Sequence, residues 1–329
     1  MYPSENEALV QQCVEQRRVL AIMGPTASGK SALAMALAEQ LPIELVSVDS
    51  ALIYEGMDIG TAKPTEQERV QVVHHLMDIL PPSQPYSVSE FLQDATDAVH
   101  RIWENGRLPV LVGGTMMYFH ALQNGLARLP QADPALRASL YQAWQADPQA
   151  LHARLMVVDP QAAGRIHAND AQRLLRALEV YEITGTPLSA HQKATQVSEA
   201  HEWQWTKVAL VPQDRKQLHQ RIDQRFDQML EAGLVKEAQS LFALPGMVPD
   251  LPAVRSVGYR QAWWYLEGQI DYETFVAKAK TATRQLAKRQ LTWLRKEHDL
   301  TQMDPFTHTP NEMLASTLAR LQASVDADD

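Results

Sequence analysis

A chain of 329 residues, 45% apolar and 21% charged, has enough apolar material for a substantial core in one large domain or two. No apolar run approaches a membrane span, the start Met1-Tyr2-Pro3-Ser4-Glu5-Asn6-Glu7 is too polar for a signal peptide, and the single Cys13 excludes an internal disulfide and any multi-cysteine zinc module. A cytoplasmic protein is expected, and the net charge of −9 argues against indiscriminate binding to nucleic acid while leaving room for a local basic surface.

Val19 to Met23 reads as a buried strand, and the stretch that follows, Gly24-Pro25-Thr26-Ala27-Ser28-Gly29-Lys30-Ser31, fits the P-loop template in full. Glycines at both ends let the backbone wrap a phosphate at a helix N-terminus. Lys30 adds a mobile positive charge, and Ser31 a hydroxyl able to ligate Mg²⁺. The competing reading is an accidental glycine-rich turn, which the strand before and the helix after argue against. Such a loop suits a triphosphate, as in ATP binding, or any substrate ending in a diphosphate. The helix from Ser31 to Leu41 stops at Pro42, and a second apolar run, Ile43 to Val48, delivers Asp49 to its C-terminal end, where open α/β sheets place their ligands. From Asp49 to Pro64 runs a loop dense in polar, glycine and aromatic positions, whose plain reading is a solvated crossover with Asp49 as a helix cap.

His74-His75 on a strand would point to opposite faces and reads as structural. Ser87 and Glu90 stand at capping-box spacing before a helix that Gly106 ends. A third strand, Leu108 to Val112, closes on Gly113-Gly114-Thr115, again at the functional edge of a parallel sheet. The alternation of strands and helices then stops. From about Gly125 to His201 the pattern is helical, with starts at Asp133-Pro134 and Asp147-Pro148 and a helix from Ala171 to about Thr184 capped by Asn169-Asp170 and closed by Gly185. On it Leu174, Leu178 and Tyr181 form an apolar stripe, while Arg173 and Arg176 face elsewhere, as phosphate ligands or as solvated charges. The core resumes with the strand Thr206 to Val211 and a helix carrying Arg215, Arg221 and Arg225, one of which could reach the phosphate site. Residues 278–296 hold Lys278, Lys280, Arg284, Lys288, Arg289, Arg295 and Lys296 with no acid among them, and Trp293 is placed to stack on a base. With Arg255-Ser256-Val257-Gly258-Tyr259-Arg260 this basic segment points to RNA more than to a solvated face. The tail Asp326-Ala327-Asp328-Asp329 is expected to be disordered. The fold class is therefore α/β, a P-loop-type core with a mainly parallel sheet over 1–124 and 202–329, carrying an inserted helical domain at 125–201.

Taken together, the P-loop, the Asp49–Pro64 loop, Gly113-Gly114-Thr115, Asp170-Ala171-Gln172-Arg173-Leu174-Leu175-Arg176-Ala177-Leu178-Glu179, Val257-Gly258-Tyr259-Arg260 and Lys288-Arg289-Gln290-Leu291-Thr292-Trp293-Leu294-Arg295 resemble, in order, the bacterial tRNA dimethylallyltransferases. The resemblance implies transfer of a dimethylallyl group from dimethylallyl diphosphate to the exocyclic amine of an adenosine beside the tRNA anticodon. It implies that Gly24 through Ser31, with Mg²⁺, hold the departing diphosphate, with Arg221 assisting. Asp49 would take the amine proton, and Thr115 would position the amine or the diphosphate. It further implies tRNA contacts by Asp49, Ser50, Ala51, Leu52 and Thr115, by Gln172 through Arg176 in the helical insert, by Arg255 through Arg260, and by Lys288 through Arg295. Many members of that family carry threonine in place of Ser31, which keeps the hydroxyl, and glutamine in place of Leu52, whose base-edge contact would be absent here.

Two other readings fit parts of the chain. An ATP-dependent small-molecule kinase explains the P-loop and Asp49 and leaves the basic segment unused. A non-catalytic RNA-binding protein that senses nucleotide would hydrolyse slowly and leave the RNA chemically unchanged.

Overall fold

The computed structural model describes residues 5–127, 129–194 and 202–327. Among them six parallel strands form one sheet: β1 (Arg18–Met23), β2 (Ile43–Val48), β3 (His74–His75), β4 (Leu108–Gly113), β5 (Gln204–Leu210) and β6 (Leu300–Met303), in the spatial order β3-β2-β4-β1-β5-β6. β1 and β2 are buried along their whole length, as continuous apolar runs covered on both faces must be. One face packs on the helices Glu5–Glu15, Lys30–Ala38 and Pro310–Asp326 through Leu9, Cys13, Leu33, Leu37, Leu321 and Val325. The C-terminal helix runs through Asp326 with Ala327 as its cap, which corrects the expected disorder at those two residues; Asp328 and Asp329 lie outside the described residues. β6 is a four-residue edge strand on β5.

The capping box before the Val88–Glu104 helix forms as the spacing predicts. Glu90 N–H donates to Ser87 Oγ at 3.2 Å, and Ser87 N–H donates to the Glu90 carboxylate at 2.7 Å. His74 and His75 are structural: His75 Nε2 meets Glu44 at 2.7 Å and His74 Nδ1 meets the Val72 carbonyl at 2.8 Å. No helix among the described residues is long and apolar enough to cross a membrane.

The chain divides into two compact units, Met1–His120 with Glu202–Asp329, and Ala121–His201. The division falls inside the Met116–Asn124 helix and not at Gly125. Within the second unit the helices Pro134–Ala146 and Pro148–Val158 begin at Asp-Pro pairs whose aspartates accept two backbone N–H groups each, and the Ala171–Thr184 helix begins at Asp170 and ends on left-handed Gly185. Residues 195–201, part of the stretch read as helical, lie outside the described residues. Leu140, Leu151, Leu155, Leu174 and Leu178 make the unit's core.

Glu179 is fully buried beside that core. It accepts from Arg137 at 2.8 Å, from Arg176 at 2.7 Å and from the Asp133 N–H at 3.1 Å. Burial alone would raise its carboxyl, but the two guanidinium groups outweigh burial and hold it below the usual range. A lowered carboxylate pKa adds stability that is present above the unfolded-state value and lost as pH falls through the folded one. Glu179→Ala is expected to cost this unit about 2–3 kcal/mol at neutral pH, less than a wholly buried pair because both arginines reach solvent. Hydrogen exchange of the Ala171–Thr184 peptide in the full chain should quicken at pH 7, and the difference from the parent should shrink at acid pH; equal protection at pH 7 would refute the role.

Candidate active site

β2, β4 and β1 are neighbours, and Val48, Gly113 and Met23 stand in register across them. The loops that leave these three strands therefore start at one level of one sheet edge: Asp49 from β2, Gly114-Thr115 from β4, and the P-loop from β1. Their ends are tied together. Thr115 N–H donates to Val48 O at 3.2 Å, and Thr115 Oγ1 accepts the Ser50 N–H at 3.1 Å. Asp49 Oδ1 accepts the Ala51 N–H at 2.9 Å. That bond makes a local turn, and no helix starts there, so the capping alternative for Asp49 fails. A cavity of about 350 Å³ opens between the loops, lined by Lys30, Ser31, Asp49, Gly114, Arg225 and Tyr259 among others.

Within the P-loop, Ala27 (φ 63°) and Gly29 (φ 95°) occupy the left-handed region, which turns successive N–H groups toward one point. Glycine takes that conformation without a Cβ penalty. Gly29 supplies no side-chain cap to the Lys30–Ala38 helix, leaving its N-terminal amides for an anion. Lys30 Nζ donates to the Pro25 carbonyl at 2.7 Å. Burial pushes the Lys30 ammonium down to about 8; the Asp49 carboxylate opposes that shift and the Arg225 guanidinium adds to it. Burial likewise lowers Arg225, with attraction from Asp49 and repulsion from Arg221 following. Lys30, Asp49 and Arg225 thus form one charge cluster of two cations and one anion.

Arg221 is exposed, with its guanidinium 5.6 Å from the Phe306 ring centre. It lines a wider cleft of about 1140 Å³ together with Ala27, Gly29 and Arg225. Arg225 lines both this cleft and the inner cavity, and Arg221 the cleft alone. In the sequence Arg215, Arg221 and Arg225 are three arginines of one helix, Arg215–Glu231; only the packing separates them.

The Asp49–Pro64 loop is not a solvated crossover. Ile53, Tyr54 and Met57 are buried in a second core with Phe226, Leu234 and Tyr259. The Glu237 carboxylate gathers the turn at Asp58–Gly60 by accepting the Asp58, Ile59 and Gly60 N–H groups at 3.0, 2.7 and 3.1 Å, and also the Tyr259 hydroxyl at 2.6 Å. Buried Lys63 pins the loop's far end through Asp58 at 2.7 Å, the Tyr54 carbonyl at 2.8 Å, and Asp78. Sequence reasoning missed Glu237 and Lys63. A glutamate in an amphipathic helix and a lysine in a polar loop carry no local mark of such a role.

Residues 52–297 match the family profile described as IPP transferase, and residues 17–77 match the one described as isopentenyl transferase. A tRNA dimethylallyltransferase of Hydrogenovibrio crunogenus is 59% identical over 314 residues, 95% of this chain and 97% of its own. The chain belongs to the tRNA dimethylallyltransferase family. The tRNA dimethylallyltransferase of Thioalkalivibrio sulfidiphilus is 50% identical over 93% of this chain and 94% of its own. Among solved structures, the full-length tRNA isopentenylpyrophosphate transferase of Bacillus halodurans superposes with a TM-score of 0.69 at 36% identity, over 95% of this chain and 99% of that one. A eukaryotic dimethylallyltransferase acting on tRNA gives 0.74 at 28% identity, over 88% and 74%.

Family membership directs attention to the residues expected to meet RNA, and the structure sorts them. Ser50, Arg255, Lys288, Arg289, Thr292, Trp293 and Arg295 are exposed, and Ala51, Leu52, Ser256, Val257, Arg260 and Leu291 are half-buried. In the helical unit, Gln172 and Arg173 are exposed, with Arg173 paired to Asp170 at 3.0 Å. Leu174 and Leu175 in the helical core and Leu294 inside the first unit are interior, contrary to the sequence-based expectation, while Gly258, Tyr259 and Gln290 are buried from bulk solvent but line the cavity. Arg176 spends its guanidinium on Glu179 and the Pro130 carbonyl. The basic segment lies on the Tyr272–Leu294 helix and is less uniformly free than its composition suggests, because Lys280 pairs with Asp227 at 2.6 Å and Arg284 with Asp223 at 3.0 Å. Lys296 lies over the Trp293 ring at 5.7 Å.

Proposed function

We propose that the protein transfers the dimethylallyl group of dimethylallyl diphosphate to the N6 amine of the adenosine adjacent to the tRNA anticodon, releasing diphosphate. The observation that carries this reading is the meeting of a P-loop and the Asp49 carboxylate on one cavity, in a chain of this family. Family membership favours it over the kinase and the nucleotide-sensing alternatives.

The chemistry follows from the residue types. The adenine amine is a weak nucleophile because its lone pair is delocalised into the ring, so a carboxylate within reach must take its proton as the C–N bond forms. Asp49 does this with the oxygen that its turn leaves over. As the allylic C–O bond breaks, negative charge grows on the diphosphate, and the loop amides, Lys30 and Arg225, which line the cavity, would stabilise it, with Arg221 assisting from the cleft. Thr115 fixes the Ser50 amide and so the approach of the base to Asp49. The target base leaves its stack at small cost because it sits in a loop. Since tRNA is a cytoplasmic molecule, the protein acts there.

Mg²⁺ fits the donor set. The cavity wall offers the Ser31 hydroxyl and the carboxylates of Asp49 and Glu68, the latter engaged by the Thr65 N–H and hydroxyl, and its Ser47 Oγ is buried without a hydrogen-bond partner. No cluster of three His, Cys, Asp or Glu side chains suited to a metal occurs among the described residues. So sparse an oxygen set suits an ion that keeps its waters and shares phosphate oxygens. Ser31 would hold it, and its chemistry would be to neutralise charge on the leaving diphosphate.

The test is mass analysis of nucleosides from tRNA incubated with the protein, Mg²⁺ and dimethylallyl diphosphate. An adenosine carrying five added carbons is expected, and unmodified tRNA would overturn the reading. The exposed cations make a second prediction. Lys288→Ala or Arg295→Ala should raise the tRNA KM and reduce the salt slope of binding by about one each. Lys280→Ala and Arg284→Ala, whose charges are already balanced by Asp227 and Asp223, should change it less. Equal slopes for all four would show that the pairing does not matter.

A further inference from the structure

The Tyr272–Leu294 helix turns two kinds of residue in opposite directions. Lys288, Arg289 and Trp293 are exposed, while Gln290 between them is buried. Its carboxamide bridges two loops of the active site. Oε1 accepts the Thr26 N–H of the P-loop at 2.9 Å, and Nε2 donates to the Gly114 carbonyl at 2.9 Å. The junction is tight. A Cβ placed on Gly114 would stand 2.3 Å from Gln290 Nε2 and 3.0 Å from the Gly24 carbonyl. From Gly114 the chain passes to Thr115, whose hydroxyl holds the Ser50 amide next to Asp49.

We propose that Gln290 is a positioning residue for the transfer reaction, and that it sets the separation between the phosphate loop and the Asp49–Thr115 edge. The inference rests on the reading of function above. A primary amide presents an acceptor oxygen and a donor nitrogen in a single rigid plane, and the two loops offer one N–H and one C=O to match them. Glutamate keeps the acceptor for Thr26 and sets an oxygen against the Gly114 carbonyl. Leucine of similar size leaves both backbone groups unpaired. Reacting atoms must be held within a fraction of an ångström, and a displacement of about 1 Å from a change away from the chemistry can cost roughly 100-fold in rate. Gln290 therefore acts on kcat, although it lies inside a run of residues expected to meet RNA.

The experiment compares Gln290→Glu and Gln290→Leu with the parent in steady-state transfer to tRNA and in calorimetric binding of inorganic diphosphate with Mg²⁺. Both variants should lose about 10- to 100-fold in kcat and bind diphosphate more weakly, while the tRNA KM and its salt slope stay at the parent values. A raised tRNA KM with unchanged kcat would overturn the inference by making Gln290 an RNA contact. Parental kcat in Gln290→Glu would also overturn it. Should either variant fail to fold, Gly114→Ala strikes the same junction from the other side, and it must reproduce the split between kcat and tRNA KM. A parent protein that adds no five-carbon unit to tRNA would instead refute the function itself, whatever residue 290 does.

Discussion

Replacing Asp49 by asparagine is expected to lower kcat by on the order of 10²–10⁴, the range for removing a general base. This substitution separates chemistry from architecture. The turn at Asp49 uses one side-chain oxygen, which accepts the Ala51 N–H at 2.9 Å, and asparagine keeps an oxygen for that bond. What asparagine lacks is the capacity to take the amine proton. Diphosphate affinity on the acid side, where Lys30 keeps its charge, should not fall, because the lost charge is an anion beside the anion site. Raising Mg²⁺ should not restore the rate. Near-parental turnover would exclude the base role, and recovery at high Mg²⁺ would make Asp49 a metal ligand. The Asp49 carboxylate also raises Lys30 against the effect of burial. Its removal should therefore move the alkaline limit of diphosphate binding to lower pH.

That limit is the second large effect. Burial brings Lys30 down to about 8 in the free protein, and the ammonium is charged only below that value. Attraction for dimethylallyl diphosphate should thus be complete below about pH 7 and should decline as pH rises through about 8, appearing as the basic limb of kcat/KM, which reports the free enzyme. Lys30→Ala should cut turnover by roughly 10²–10³, as removal of one charge-stabilising donor does elsewhere, and should flatten the limb. Measurement of kcat/KM for the diphosphate substrate between about pH 6 and 10, at saturating tRNA, checks both. A profile level to about pH 10 in the parent would mean that Lys30 does not carry the binding charge, and an equal loss of tRNA affinity in Lys30→Ala would show that the two substrates are not held separately.

What could be read directly from the sequence was whatever depends on neighbours along the chain. The P-loop spacing, the apolar runs that end at Asp49 and Gly113, the Ser87–Glu90 capping box and the Asp-Pro helix starts are all local patterns, and they are found where the spacing puts them. The helical character of the segment after Gly125 followed in the same way from the end of strand alternation. Strand order did not follow. Nothing in β2 or β4 says that β4 lies between β2 and β1, yet that order alone brings Asp49, Gly114 and Lys30 to one cavity. Side-chain direction was equally hidden. Gln290 reads as one more polar residue in a basic stretch until packing turns it onto the P-loop, and Glu237 reads as a surface glutamate until three backbone amides and Tyr259 converge on it. The same holds for Arg225, which lines both the cleft and the inner cavity where Arg221 lines the cleft alone, and for Asp223 and Asp227, which sit on a different helix from the cations they balance. Propensity and capping act over a turn or two of chain, so the sequence by itself determined the elements and the phosphate loop. Charge balance and buried hydrogen bonds act between residues tens to hundreds of positions apart, and only the tertiary structure decided those.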